Sequence, residues 1–78
     1  MAKQPLLLIH KDGDVTIVEF GSACELIEDA MLEPLGEELL AAAREADPPL
    51  VVLDLAKTRF FGSGFIELLL RVFKELQQ

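Results

Sequence analysis

The stretch Thr58-Arg59-Phe60-Phe61-Gly62-Ser63-Gly64-Phe65 is where residue type and spacing most invite a chemical role. A serine between two glycines, ahead of an apolar helical run, exposes its hydroxyl where a helix N-terminus begins. Phosphate is well tolerated at that positive end, which makes Ser63 a candidate phosphorylation site. The glycines let the backbone come close to another surface. The stretch is not a phosphate-binding P-loop, because the lysine-serine/threonine ending is missing. It is not a nucleophile elbow, because no histidine follows it; the only one, His10, comes earlier. The plain alternative is a Gly-Ser-Gly turn that only caps a helix.

Elsewhere the reactive residues lack companions. His10 falls at a strand end beside a turn, as an ordinary surface residue, and no His/Cys pair occurs at metal-ligand spacing. Cys24 has no basic neighbour to lower its pKa and reads as a small, semi-buried filler. Asp12 and Asp14 belong to a turn, and Glu37 and Glu38 to a solvated helix face. Catalytic acid pairs come instead from separate segments that face one cleft. No catalytic residue, metal site or cofactor is expected, and an enzyme is the least favoured function.

The elements that position these residues follow from periodicity. Residues 6–11 and 15–20 are short apolar runs joined through Asp12-Gly13, a hairpin signal. The second run is rich in β-branched residues with apolar side chains on both parities, so a strand covered on both faces is expected. Residues 21–29 form a connection with weak preferences, opened by a turn at Gly21-Ser22. A helix is expected from about Leu32 to Ala46, with Leu35, Leu39, Ala42, Ala43 and Ala46 on one face. Pro34 suits its first turn, Gly36 weakens that turn, and Asp47-Pro48-Pro49 ends the helix. Residues 50–55 predict a central, fully buried strand, parallel to the one before the helix. A loop over residues 56–62 leads to a second helix with Ser63 as N-cap and Glu67 in or near the first turn. This helix runs to about Leu76, and its apolar stripe is wide enough to need cover on more than one side. The order is β-β-α-β-α, with a right-handed crossover between the second and third strands.

Composition bounds the function. Seventy-eight residues make a single domain, residues 1–78, and half of them are apolar. A chain this short buries only about 60% of its unfolded surface, so leftover apolar area, and with it a partner, is expected. The net charge of −7, with the seven cations scattered among acids, disfavours nucleic acid and anionic membrane surfaces. A single cysteine allows no internal disulfide and fits a reducing compartment. The four apolar residues after Met1-Ala2-Lys3-Gln4-Pro5 are too few for a signal peptide, and no run reaches the roughly 20 residues of a membrane span. A cytoplasmic protein is expected.

The segment Val51-Val52-Leu53-Asp54-Leu55, Ala56-Lys57-Thr58-Arg59, Phe60-Phe61, Gly62-Ser63-Gly64-Phe65 resembles the STAS domain of bacterial anti-sigma factor antagonists. That family's pattern is a buried strand ending in Asp/Asn-Leu, a short loop, two apolar residues, then Asp-Ser-Ser/Thr-Gly opening an apolar helix. Aligned from Asp54, Ser63 falls on the serine that a partner kinase phosphorylates in regulated members. The element order matches the first part of the fold, so the resemblance covers nearly the whole chain. The motif is degenerate: Gly62 replaces the acid, and Gly64 and Phe65 replace the following Ser/Thr and Gly.

The resemblance implies an α/β fold with a small mixed sheet and a docking loop made of Thr58, Arg59, Phe61, Gly62, Ser63 and Gly64. It implies a non-catalytic regulatory domain in signal transduction and transcription regulation, binding an anti-sigma factor or a serine-kinase-like regulator through that loop and the last helix. STAS-like domains also serve as building blocks of signalling scaffolds and as accessory subunits of transporters, which implies self-association without a phosphoswitch. Members continue with further strands and helices. Three strands would leave an open edge, so either this is a fragment or two chains complete each other as a homo-oligomer.

Overall fold

The structure is a computed structural model that describes residues 5–77. Met1–Gln4, which precede the apolar run judged too short for a signal peptide, lie outside the described residues. β1 (Leu7–Asp12) and β2 (Val15–Phe20) form an antiparallel hairpin closed by the pair Asp12↔Val15. The turn residues are Gly13 and Asp14. Gly13 has φ +63°, and no other residue type in the described chain has positive φ, the type II′ pattern with glycine first. After β2 come a 3₁₀ turn, the two-residue β3 (Leu26–Ile27), a second 3₁₀ turn and α1 (Leu32–Glu45). Then follow β4 (Val51–Asp54), the two-residue β5 (Phe60–Phe61) and α2 (Ser63–Leu76).

β4 joins β2 in parallel through the α1 crossover, giving a three-stranded sheet in the order β1-β2-β4. β3 and β5 pair in parallel as a separate two-stranded piece. Strand parity sorts the sheet's faces. Leu7, Thr16, Val18, Phe20, Val51 and Leu53 point one way, and Leu8, His10, Ile17 and Val52 the other. Both helices lie on the first face. Leu35, Leu39, Ala42 and Ala43 of α1 and Phe65, Leu68 and Val72 of α2 share one core with Leu7, Val18 and Phe20. Phe20 and Phe65 meet edge-to-face with centroids 5.8 Å apart.

The helices run side by side in the same direction. Leu32 lies against Gly64, Gly36 against Leu68, and the Arg44 Nε donates to Glu75 Oε1 at 2.6 Å near the far ends. Gly36, expected only to weaken the first turn, is what permits this approach. A β-carbon there would stand 3.1 Å from Leu68 Cδ1.

Several expectations are corrected. β4 is an edge strand and only half-buried: nothing pairs with it beyond β2 among the described residues, and Val52, 48% exposed, faces the side of the sheet that carries no helix. β2 is the central strand, yet only one of its faces is covered. Both helices occupy that side, leaving Val15 and Ile17 partly open on the other. The weak connection over residues 21–29 holds β3, and the loop over 56–62 holds β5. Two-residue strands have no period of their own and form only where a tertiary partner exists. Cys24 is fully buried rather than semi-buried. Glu38 is no solvated face residue: its carboxylate accepts from the backbone amides of Leu6 and Leu7 at 3.0 Å.

Candidate interaction site

The 58–65 loop is held by its backbone. At the end of β4, Asp54 Oδ1 accepts from the Ala56 amide at 3.0 Å, turning the chain out of the sheet. The Thr58 amide donates to the Leu55 carbonyl at 2.9 Å, and Thr58 Oγ1 donates to the Cys24 carbonyl at 2.9 Å. The amides of Arg59 and Phe60 both donate to the Glu25 carbonyl, at 2.8 and 3.3 Å. β5 then pairs with β3, setting Phe60 beside Leu26 and Phe61 beside Ile27. The segment through Cys24–Ile27 is thus the cradle of the loop, and sequence reading missed it. Its one apolar pair, Leu26-Ile27, gives no periodic signal.

What this backbone presents is largely apolar. Phe60 is 65% exposed and its neighbour Leu26 54% exposed, while Phe61 leans on Phe65 with centroids 5.1 Å apart. Arg59 is exposed and reaches Glu25 at 3.9 Å, a surface ion pair of little energetic weight. Beyond the loop, Ile66, Leu70 and Phe73 stand at i, i+4 and i+7 on α2, 45%, 58% and 57% exposed. They continue the apolar face of α2 past the core, which accounts for the width of the stripe.

Ser63 is the first helical residue, not the cap. Gly62 holds the N-cap position, and no side chain hydrogen-bonds to that end of the helix. The Ser63 side chain is exposed. Glu67 lies one turn further on, and the first turn holds no acid of its own. The two glycines differ. Gly62 has open space where a β-carbon would go. At Gly64 a β-carbon would meet Leu32 Cδ1 at 2.6 Å and lie 3.6 Å from Asp29 Oδ1. Gly64 therefore serves the packing of α2 on the start of α1, and the Asp29 carboxylate sits beside the first turn of α2.

The other candidates stay apart. His10 is exposed on the helix-free face of the sheet. Cys24 is buried, with Sγ 3.7 Å from the Leu6 carbonyl. Burial first, and then the Glu38 carboxylate, push its thiol pKa up, which keeps it protonated. Among the described residues, no three His, Cys, Asp or Glu side chains are grouped to hold a metal ion, and no helix is long and apolar enough to cross a membrane.

No protein-family model matches the chain, and no curated protein does. A solved structure does. It is that of an anti-sigma-factor antagonist (STAS) domain protein from Planctomyces limnophilus, with a TM-score of 0.81 and 33% identity over 90% of this chain. The fold is that of a STAS domain. The chain spans 59% of the length of that structure. Within this STAS fold, the loop after β4 and the start of α2 carry the degenerate motif. The departure at Gly64 has a steric counterpart in Leu32, which occupies the space a side chain there would need.

Proposed function

We propose that this STAS domain is a non-catalytic interaction module that docks to a regulator of the anti-sigma factor or serine-kinase class. Docking uses the 58–65 loop and the exposed side of α2. The observation that carries this is a contrast within the loop. Its backbone is tied to the Cys24–Ile27 segment, while Phe60, Leu26 and the Ser63 hydroxyl face outward. A pre-ordered loop loses little entropy on binding, and exposed aromatics supply the contact area. The mechanism is competitive occupancy of the regulator. A phosphate on the exposed Ser63 would place a dianion against the docked partner, weakening the complex. A cytoplasmic location suits such a role.

The test is to mix the protein with candidate kinases of the anti-sigma type and ATP. Complex formation lost on Ser63→Glu, together with a phosphate mass increase mapped to Ser63, is the expected result. The absence of both complex and modification would overturn the docking role.

A second reading, a self-associating assembly module, is favoured by the apolar surface of α2 that lies away from the loop. Light scattering on the isolated chain separates the two: a defined oligomer without any partner supports assembly.

A further inference from the structure

Among the described residues, Thr58 has the one side chain of residues 56–62 that hydrogen-bonds to the rest of the chain. Its Oγ1 donates to the Cys24 carbonyl at 2.9 Å. That acceptor is fixed to the core. Cys24 is fully buried, and its amide donates to the Gly21 carbonyl at 2.9 Å. The next carbonyl, that of Glu25, takes the Arg59 and Phe60 amides at 2.8 and 3.3 Å. Donors from three consecutive residues thus converge on two consecutive carbonyls. Only the first of the three donors belongs to a side chain.

Little else secures this end of the loop. Phe60 is 65% exposed, so packing does not hold it. Lys57 reaches Glu19 at 3.4 Å and Arg59 reaches Glu25 at 3.9 Å, but both pairs are open to water and carry little energy. β5 is two residues long, below the usual span of a strand. The far end differs, because there Phe61 rests on the Phe65 ring. At the near end the Thr58 hydroxyl is part-buried, and its branched β-carbon restricts the rotamers that could carry it away from Cys24.

We propose that Thr58 is the positioning residue of the loop. Its hydroxyl latches residues 58–60 onto Cys24 and Glu25 and so holds Phe60 beside Leu26 on the surface. A latched loop presents the two side chains already paired, which spares a partner the cost of ordering them. That benefit rests on the docking role proposed above; the latch itself does not.

Hydrogen exchange on the whole chain, read amide by amide by NMR, tests the latch. Thr58→Val keeps the branched shape and removes the donor. In it the Arg59 and Phe60 amides should exchange about fivefold faster, the worth of one net hydrogen bond. The amides of the core residues Val18 and Leu39 should keep their wild-type rates. Thr58→Ser retains the hydroxyl and should return Arg59 and Phe60 to wild-type exchange. Unchanged exchange at Arg59 and Phe60 in Thr58→Val overturns the proposal. Equal acceleration at Val18 and Leu39, or loss of the fold, also overturns it, because Thr58 would then support the whole domain and not the loop. A Thr58→Ser variant that opens as far as Thr58→Val does the same, since the hydroxyl would not be the group that matters. No partner takes part in this measurement, so the latch fails separately from the docking role, which the mixing with kinases decides.

Discussion

Glu38 of α1 grips the amide of Leu6: both carboxylate oxygens accept from it at 3.0 Å, and Oε1 also takes the Leu7 amide at 3.0 Å. These amides open β1, and the Leu6 carbonyl in turn accepts from Gly21 N at 3.0 Å. One side chain thus joins the first helix, the first strand and the exit of β2. Glu38→Ala would leave two partly buried amides without partners. A loss of about 1.5–3 kcal/mol follows, since bonds to charged groups are worth that much. Urea denaturation should show it as a lower midpoint. Glu37→Ala, on the exposed face one residue away, should stay within about 0.5 kcal/mol of wild type. Equal effects would return Glu38 to the solvated face that its sequence position suggests.

Gly62 and Gly64 predict opposite responses to a side chain. Gly64→Ala brings a β-carbon to 2.6 Å from Leu32 Cδ1, the tip of a half-buried side chain that must turn aside, at a cost of about 1 kcal/mol, the low end of overpacking. Gly62→Asp meets open space at an N-cap, where aspartate is preferred over glycine by a few tenths of a kcal/mol. Thermal unfolding should therefore place Gly64→Ala below wild type and Gly62→Asp at or above it. Gly62→Asp also restores the acid of the STAS pattern, so phosphate incorporation at Ser63 should rise in the same variant.

Much of this was legible from residue order. The hairpin, the crossover, both helices and the parallel pairing of residues 51–54 with β2 follow from period, turn residues and proline stops. What was lost is what local sequence does not encode. The apolar run at residues 50–55 looks the same in a central strand covered on both faces as in an edge strand covered on one, so the exposure of Val52 on the helix-free face does not show in it. β3 and β5 exist only because each finds the other. Glu38 sits at a helical position that reads as solvent, and its partners are 32 and 31 residues away. For the candidate site, Ser63 and the aromatic loop were visible as a motif. The Cys24–Ile27 cradle and the clash that defines Gly64 were not, because both are tertiary contacts.

Cys24 predicts a pH dependence. Its pKa is raised in the folded chain, so above the ordinary value of 9.0 the unfolded chain loses the proton first. The unfolded state then binds fewer protons than the native one, and stability falls as pH rises. The contribution is complete below pH 9.0 and is lost as pH climbs from there through the folded-state value. Urea midpoints from neutral to alkaline pH should fall more steeply for wild type than for Cys24→Ala. Parallel slopes would mean that the buried thiol does not contribute. In native protein the thiol should also resist alkylation until urea exposes it.

The exposed pair Phe60 and Leu26 decides whether the loop is a docking surface or a piece of the core. They are neighbours across β3 and β5, and both project more than half their surface to solvent. If their role were packing, Phe60→Ser would destabilise the fold by several kcal/mol, as buried aromatic truncations do at about 3–5 kcal/mol. A docking role instead keeps the thermal midpoint of Phe60→Ser and Leu26→Ser close to wild type, within about 0.5 kcal/mol. It removes partner capture, because exposed aromatics at the centre of an interface cost about 2 kcal/mol or more when truncated, some thirtyfold in affinity. Arg59→Ala should cost far less, since its pair with Glu25 is long and open to water. Calorimetric titration of a captured regulator with the three variants measures this order. Loss in Arg59→Ala with retention in Phe60→Ser would place the contact on charge and take the aromatic loop out of the interface.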